Sequence, residues 1–269
     1  MTVIATTAVV DASAVLADDV VVGAGSVIGA GVTIGEGCEI KTNVVIEDQV
    51  TLGRGNRIFA NCVLGEEPQT LHLDEADTRL IIGDNNTFRE NVTVHRGSSE
   101  GSGKTVIGNH CYFMVGSHIA HDCCIEDHVV ISNATLLSGH VNIEHNAWLG
   151  AICGVHQFTT IGRYAYIGGA STIHRDIPPY VRAAGAYPCI VRGLNMIGLE
   201  RAGFKEKSIK ALRKACFQLY KRRNTVTFLE KVDQMREQGD LDEHVAYLLD
   251  SLHRSSQHRL GRYQESYRK

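Results

Sequence analysis

A period of six residues runs through most of the chain. Large apolar residues, nearly all branched aliphatics, recur at every sixth position from Ile4 to Leu64 and again from Ile107 to Ile173. No α-helix produces this period, because a helix returns apolar residues to one face every three or four positions. Six residues fit a short strand and a corner, and three such units close a triangular coil that stacks on the next at about 4.8 Å. The sequence therefore predicts a parallel β-helix, a solenoid in which each coil contacts its neighbours.

The position two residues before each aliphatic holds a small side chain, as at Ala8, Ala14 and Ser26. Five of the eight cysteines fall there: Cys38, Cys62, Cys111, Cys123 and Cys153. The interior corners of a triangular tube are tight, so we expect these cysteines to be small core residues. No CxxC pair occurs, which favours reduced thiols over a disulfide framework.

Two segments leave the repeat, residues 66–79 and residues 97–104, and only the second shifts its phase. Long loops on a solenoid often carry function. The repeat ends near the IPPY sequence at residues 177–180, because paired prolines do not continue a strand ladder.

Apolar residues then recur at helical spacing in three segments, residues 208–223, 227–238 and 242–254. We therefore expect a β-helix over residues 1–189 and a small helical C-terminal domain over residues 190–269.

Charge is divided unevenly along the chain, although the net charge is only −3. Residues 1–189 carry 10 Lys+Arg against 20 Asp+Glu, and residues 190–269 carry 17 against 10. The basic end is either a solvated helix surface or a docking face for an acidic partner. We expect no transmembrane segment, since no apolar run approaches about 18 residues. We also expect no signal peptide, a cytoplasmic location and no nucleic-acid partner.

A stack of 18-residue coils aligns several histidines. Eighteen residues after His121 comes Gly139, followed by His140, and eighteen further comes Gln157, preceded by His156. Allowing for the second excursion, His95 falls near the same edge one coil earlier, and His118 lies just before His121. A single histidine is usually a satisfied core or surface residue, but this many on one edge predict a functional site.

Three chemistries fit such an edge. In the first, His121 is a general base, Asp122 fixes its tautomer and the Gly139 N–H stabilises an oxyanion. In the second, histidines from neighbouring coils or chains bind zinc. In the third, His121 activates Cys124 as a nucleophile, although no cation that would stabilise the thiolate is evident nearby.

Six sequence runs, taken in order, resemble the UDP-N-acetylglucosamine O-acyltransferase family of lipid A biosynthesis. They are VTVHRG (92–97), HIAHDC (118–123), ATLLSGHV (134–141), GVHQF (154–158), DIPPYV (176–181) and GLNMIGLERAGF (193–204). The resemblance implies a left-handed β-helix, a homotrimer with active sites between subunits, and transfer of an (R)-3-hydroxyacyl chain from acyl carrier protein to the sugar 3-position. It implies no metal or organic cofactor, since the acyl chain arrives on the phosphopantetheine of the carrier protein.

The resemblance implies roles for individual residues. His121 matches the general base, Asp122 its partner and Gly139 the oxyanion donor. The positions that match the substrate groove are His118, His140, His156 and Gln157. Asn195 and Arg201 match the nucleotide-binding stretch, and Gly169 matches the position that helps to set acyl length. We also expect His95, Thr70 and His72 to contact substrate.

The first excursion departs from the family pattern. The family commonly has P-Q-D-L-K where this chain has PQTLH, so Thr70 and His72 replace an aspartate and a lysine, and Ile197 occupies a position that is glutamate in some members. The departures leave open whether the acceptor is the 3-hydroxyl or a 3-amino analogue. The sequence is also compatible with a zinc hydratase of the γ-carbonic anhydrase kind and with a non-catalytic binding solenoid.

Overall fold

The computed structural model describes residues 1–70, 77–220 and 226–257. Within them, short strands follow one another from the start of the chain to Leu194, and helices follow. The strands are β1 Val3–Ile4, β2 Val9–Val10, β3 Val15–Leu16, β4 Val21–Val22, β5 Val27–Ile28, β6 Thr33–Ile34, β7 Glu39–Ile40, β8 Val45–Ile46, β9 Val50–Leu52, β10 Arg57–Ile58, β11 Val63–Glu66, β12 Arg79–Ile82, β13 Thr87–Phe88, β14 Thr93–His95, β15 Lys104–Ile107, β16 Tyr112–Phe113, β17 His118–Ile119, β18 Cys124–Ile125, β19 Val130–Ile131, β20 Leu136–Leu137, β21 Asn142–Ile143, β22 Trp148–Leu149, β23 Gly154–Val155, β24 Thr160–Ile161, β25 Tyr166–Ile167, β26 Thr172–Ile173, β27 Val181–Ala184 and β28 Ile190–Leu194.

From β1 to β26 every third strand joins the same sheet, and β27 and β28 then extend the first sheet, so the described strands form three long sheets. The first sheet begins with β1, β4 and β7, the second with β2, β5 and β8, and the third with β3, β6 and β9. Pairing among the described strands is parallel except between β27 and β28, which are antiparallel. The predicted parallel β-helix is confirmed.

The register shows the 18-residue coil directly. His118 in β17 pairs with Leu136 in β20, which pairs with Gly154 in β23. Across the second excursion the offset is larger, because Thr93 in β14 pairs with His118. The excursions therefore protrude from the coil while the ladders on either side continue.

The core is the interior of the tube. Its inward aliphatics are at most 1 % exposed from Val22 to Ile82, and Phe88 stacks on Phe113 with ring centroids 4.7 Å apart. The five predicted core cysteines are buried and all eight cysteines are free. Each of those five thiols lies near a backbone carbonyl of the next coil, as Cys123 Sγ does to Ser138 O at 3.3 Å. A small weakly polar side chain thus fills the corner and contacts the adjacent coil.

Four helices follow within the described residues: α1 Met196–Arg201, α2 Glu206–Tyr220, α3 Phe228–Arg236 and α4 Glu243–Ser256. The last three overlap the segments with predicted helical spacing, whereas α1 is a short helix that the periodicity did not reveal. The predicted boundary at residues 189 and 190 stays a prediction; β28 begins at Ile190 and pairs with β27.

The helices are held against the tube by polar contacts. Tyr247 of α4 donates a hydrogen bond to Glu144 at 2.7 Å, and Ser255 donates one to Asp176 at 2.8 Å. The guanidinium of Arg163 lies over the Tyr247 ring, 3.2 Å from its centroid. No described helix is both long enough and apolar enough to cross a membrane.

Candidate active site

The histidine corner is the turn that joins the second sheet to the third in three successive coils: residues 120–122, 138–140 and 156–158. The backbone stacks directly, because His140 N donates to His121 O at 3.0 Å and Phe158 N donates to Gly139 O at 3.2 Å. Asp122, His140 and Phe158 occupy the left-handed position of the turn, with φ near 60°. Asp and His tolerate this region better than most side chains.

His121 and Asp122 form a buried pair at this corner. The His121 Nδ1 lies 2.8 Å from Asp122 Oδ2, and the carboxylate is completely buried. Burial would raise the pKa of Asp122, but hydrogen bonds from His121 and Ser98 and the nearby His140 lower it to about 2. The carboxylate is therefore ionised at neutral pH and accepts the Nδ1 proton. His121 Nε2 then carries the lone pair that a general base needs.

Ser98 and Ser102 of the second excursion also hold Asp122, and the sequence patterns missed both. Ser98 donates to Oδ2 from its hydroxyl at 2.6 Å and from its N–H at 3.1 Å. Ser102 donates to Oδ1 from its N–H at 2.8 Å, and its hydroxyl lies 3.1 Å from Oδ1 and 2.8 Å from Lys104 O, which share its one proton. The excursion was predicted to be functional, but the repeat map could not assign its residues because they lie outside the 18-residue stacking.

Gly139 lies against the His121 ring. A Cβ at this position would be 2.6 Å from His121 Cε1 and 2.8 Å from Nε2, so a larger residue would displace the imidazole. Among the described residues, the Gly139 N–H has no hydrogen-bond acceptor. An unpaired N–H beside the base is suited to binding an oxyanion.

Aromatic contacts extend the corner beyond the base. The His140 ring packs edge-on to His121 with centroids 5.1 Å apart and stacks on Phe158 at 4.4 Å. His156 and Gln157 follow one coil later, half-buried, with His156 Nδ1 lying 3.2 Å from Gln157 O. Phe158 was not predicted, although the 18-residue spacing from His140 points to it.

His118 and His95 lie one step before the pair. His118 Nδ1 is 2.7 Å from Thr93 Oγ1, and its ring packs edge-on to His95 with centroids 4.9 Å apart. Burial, followed by repulsion from His118, lowers the pKa of His95 to about 4, and burial also lowers that of His118. Both rings are therefore neutral at physiological pH. The ladder between β14 and β17 ends with Val94 beside Ile119, and His95 follows with its ring against that of His118.

The predicted nucleotide-binding residues lie at a different corner of this chain. Asn195 caps α1 by accepting from Gly198 N at 3.2 Å and donates to Tyr164 O at 2.9 Å. Tyr164 belongs to the turn between the third and first sheets, and Arg201 is exposed at the end of α1. The structure therefore does not bring Asn195 and Arg201 to the histidine corner of the same chain.

The remaining predicted residues are also placed, with one exception. Gly169 lies exposed in the turn between the first and second sheets, where an added Cβ would meet Ala151 O at 3.2 Å. Thr70 follows β11, and its N–H donates to Pro68 O at 2.8 Å. His72 lies outside the described residues. Cys124 lies in β18, where partial burial and the nearby Glu126 raise the pKa of its thiol, which disfavours a thiolate nucleophile.

Three groups at the corner satisfy the spacing of a metal site. Ligand atoms of His121, Asp122 and His140 all lie within 4.8 Å of one another. A carboxylate offers about four lone-pair sites, and five donors from Ser98, Ser102 and His121 already contact those of Asp122. The carboxylate is therefore committed to orienting His121.

Comparison with known proteins shows which family the chain belongs to. A family model described as UDP-N-acetylglucosamine O-acyltransferase, domain 2, matches residues 176–261. The acyl-[acyl-carrier-protein]–UDP-N-acetylglucosamine O-acyltransferase of Gloeothece citriformis is 43 % identical over 213 residues, which cover 79 % of this chain and 75 % of the relative. The corresponding enzyme of Sinorhizobium fredii is 41 % identical over 182 residues, covering 68 % of this chain and 67 % of the relative. This chain belongs to the UDP-N-acetylglucosamine O-acyltransferase family.

Solved structures of the same family match nearly the whole length of this chain. LpxA from Acinetobacter baumannii superposes with a TM-score of 0.88 at 38 % identity, covering 94 % of this chain and 97 % of the other. LpxA from Bacteroides fragilis superposes with a TM-score of 0.89 at 32 % identity and the same coverage. The left-handed β-helix with C-terminal helices is thereby confirmed as the fold of the acyltransferase.

Proposed function

We propose that this acyltransferase moves an (R)-3-hydroxyacyl chain from acyl carrier protein to the 3-hydroxyl of UDP-N-acetylglucosamine, the first step of lipid A biosynthesis. The single observation that carries the proposal is the buried His121–Asp122 pair beside the unpaired N–H of Gly139. The relatives named for this reaction, at 41 % to 43 % identity, support the choice of donor and acceptor.

The reaction follows from the positions of these three residues. His121 Nε2 accepts the proton of the 3-hydroxyl while that oxygen attacks the thioester carbonyl carbon. The carbonyl oxygen becomes an oxyanion, which accepts a hydrogen bond from the Gly139 N–H. Collapse of the intermediate breaks the carbon–sulfur bond, and the imidazolium of His121 returns its proton to the departing thiolate. Asp122 stays ionised and stabilises the imidazolium.

The substrate groove is assigned to the residues around this pair. His118, His140, His156 and Gln157 line it, with His95 behind His118. Thr70 and His72 approach from the first excursion. Asn195 and Arg201 bind the nucleotide, and Gly169 limits acyl length.

A homotrimer fits these assignments, since Asn195 and Arg201 lie at another corner and reach a histidine corner only from a second copy. Apolar side chains that a neighbour would cover support it. Leu136 is 52 % exposed, Trp148 43 % and Ile152 69 %. Leu136 and Trp148 lie in strands that border the turns between the first and second sheets, and Ile152 lies in such a turn.

The basic region after residue 190 suits acyl carrier protein as the donor, because it carries 17 Lys+Arg against 10 Asp+Glu and the carrier protein is acidic. The eight free cysteines suit a reducing compartment such as the cytoplasm. A base, an orienting carboxylate and an oxyanion donor complete the reaction without a metal or organic cofactor.

The test is acyl transfer by the purified protein with UDP-N-acetylglucosamine and a series of (R)-3-hydroxyacyl carrier proteins. We expect an ester at the sugar 3-position and a clear preference for one chain length. A product formed only from the 3-amino analogue would correct the acceptor, and no transfer to either acceptor would refute the proposed function.

A further inference from the structure

The second excursion covers the buried carboxylate that orients the base. It leaves the solenoid after β14 and returns at β15, and its backbone turns directly over Asp122. Ser98 donates to Oδ2 from its hydroxyl and its N–H, and Ser102 donates to Oδ1 from its N–H, at 2.6–3.1 Å. The Ser102 hydroxyl is shared between Oδ1 and Lys104 O. Ser98 is 3 % exposed, so this contact is shielded from water.

The backbone of the excursion is shaped for this contact. A Cβ at Gly101 would collide with the Asp122 carboxylate, so only glycine allows the loop to approach this closely. A Cβ at Gly97 would collide with the backbone of Gly103 and Lys104, where the two ends of the loop meet. Both glycines are therefore required for the loop to close over the carboxylate.

We infer that Ser98 and Ser102 are positioning residues that fix the orientation of the Asp122 carboxylate and, through it, the tautomer of His121. The inference rests on the proposed function of His121. Asp122 has a left-handed backbone, with φ 59°, and its hydrogen bonds to described side chains come from His121 and the two serines. Without the serine hydroxyls, two backbone N–H groups and His121 Nδ1 would still hold the carboxylate, but it would be less restrained from rotating toward His140 Nε2, which lies 3.8 Å from Oδ2.

The alternative is that the serines only stabilise the loop. A merely structural role predicts loss of stability with the catalytic constant per folded enzyme unchanged. A positioning role predicts a lower kcat with KM nearly unchanged, since the base acts in the transition state and not in substrate binding. The two roles can therefore be distinguished by kcat and by the tautomer of the His121 ring.

The experiment compares Ser98→Ala, Ser102→Ala and the double variant with Ser99→Ala. Ser99 is the matched control, because it lies in the same loop and is exposed. Hydrogen bonds to charged groups are worth about 1.5–3 kcal/mol, which corresponds to roughly 10- to 100-fold in rate. We expect kcat to fall about tenfold for Ser98→Ala and about 100-fold for the double variant, with KM within about threefold. Ser98→Thr keeps the hydroxyl and should recover most of the loss.

A second readout does not depend on activity. Histidine ¹⁵N labelling of each variant reports which nitrogen of His121 carries the proton. We expect a single Nδ1–H tautomer in the wild type and a mixture of tautomers in the double variant. Wild-type kcat in the double variant, or a lower kcat with an unchanged His121 tautomer, would overturn the inference. If wild-type protein transferred no acyl group, the proposed function would fail, while the ring tautomer would still decide what the serines do.

Discussion

The histidine corner and the corner of His110 and His128 stack histidine rings at almost the same spacing. Ring centroids are 5.1 Å apart for His121 and His140, and 5.0 Å for His110 and His128. The first pair is perpendicular and largely buried, whereas the second is parallel and exposed. Spacing alone therefore does not distinguish an active site from a surface stack.

Backbone conformation explains why both corners contain histidine. His110 and His128 occupy the left-handed position of their turns, with φ 57° and 59°, where several other turns have Asn. His140 occupies the same position in its own turn. His121 does not, because it comes one residue earlier, where the next coil has Gly139. His121, the proposed base, is thus the one of these four histidines whose position is not explained by the left-handed turn.

The aspartates of the two corners also differ in their burial and their hydrogen-bond partners. Asp122 is buried beside His121 and held by a loop, while Asp127 beside His128 accepts hydrogen bonds from Asn109 of the preceding coil. The Asp127 carboxylate thus stabilises the turn. Each prediction below tests a feature of the histidine corner that the corner of His110 and His128 lacks.

Asp122→Asn should have the largest effect. An amide has one oxygen, so in either orientation its NH₂ faces the N–H groups of the serines or the Nδ1 proton of His121. The tautomer with a free Nε2 is lost, and we expect kcat/KM to fall by about 10²–10⁴, as when the carboxylate of a catalytic triad is neutralised. Steady-state acyl transfer measures this. Asp127→Asn is the control, and an equal loss there would remove the distinction between the corners.

Gly139→Ala should cost about 10² in kcat, because the new Cβ would displace the base while the backbone N–H is retained. Gly154→Ala is the matched control, since a Cβ there meets nothing within 4 Å. Kinetics of both variants, with thermal unfolding to check the fold, make the comparison. Unchanged kcat in Gly139→Ala would show that the ring does not need this close contact.

Stability at low pH should report the buried carboxylate. The pKa of Asp122 is lowered to about 2, so its stabilising contribution is fully present above about pH 4 and is lost as the pH falls through 2. The difference in unfolding free energy between wild type and Asp122→Asn should shrink by about 2 kcal/mol over that interval. Urea unfolding at several pH values measures it. A difference that stays constant down to pH 2 would contradict the assigned ionisation.

Chelation should have the smallest effect. Because donors already surround the Asp122 oxygens, we expect activity within about twofold after treatment with a chelator. Loss of activity that added Zn²⁺ restores would instead favour the zinc hypothesis for His121, Asp122 and His140.

Much of the fold could be predicted because one physical constraint repeats. A triangular tube needs a large apolar residue and a small one at fixed places in every coil, so Ile119, Cys123 and Ile125 report the same geometry as their counterparts 18 residues away. The same stacking aligned His121 with Gly139. Residues outside the repeat have no such constraint, so the hydrogen bonds of Ser98 and Ser102 to Asp122 were not predictable from spacing.

The position of the proposed nucleotide-binding residues was also not predictable from the sequence. Asn195 has a capping role in α1 and a contact with Tyr164 that the sequence pattern does not reveal. Asn195 lies away from the histidine corner because it directly follows β28, which pairs with β27 at the end of the first sheet. That return is antiparallel and departs from the six-residue period.

The most direct test of the account is kcat/KM for acyl transfer by His121→Ala beside His128→Ala. Removal of a general base should lower the value by about 10² or more, whereas loss of the exposed ring of His128 should leave it within about twofold. Equal activity in the two variants would contradict the assignment of His121 as the catalytic base.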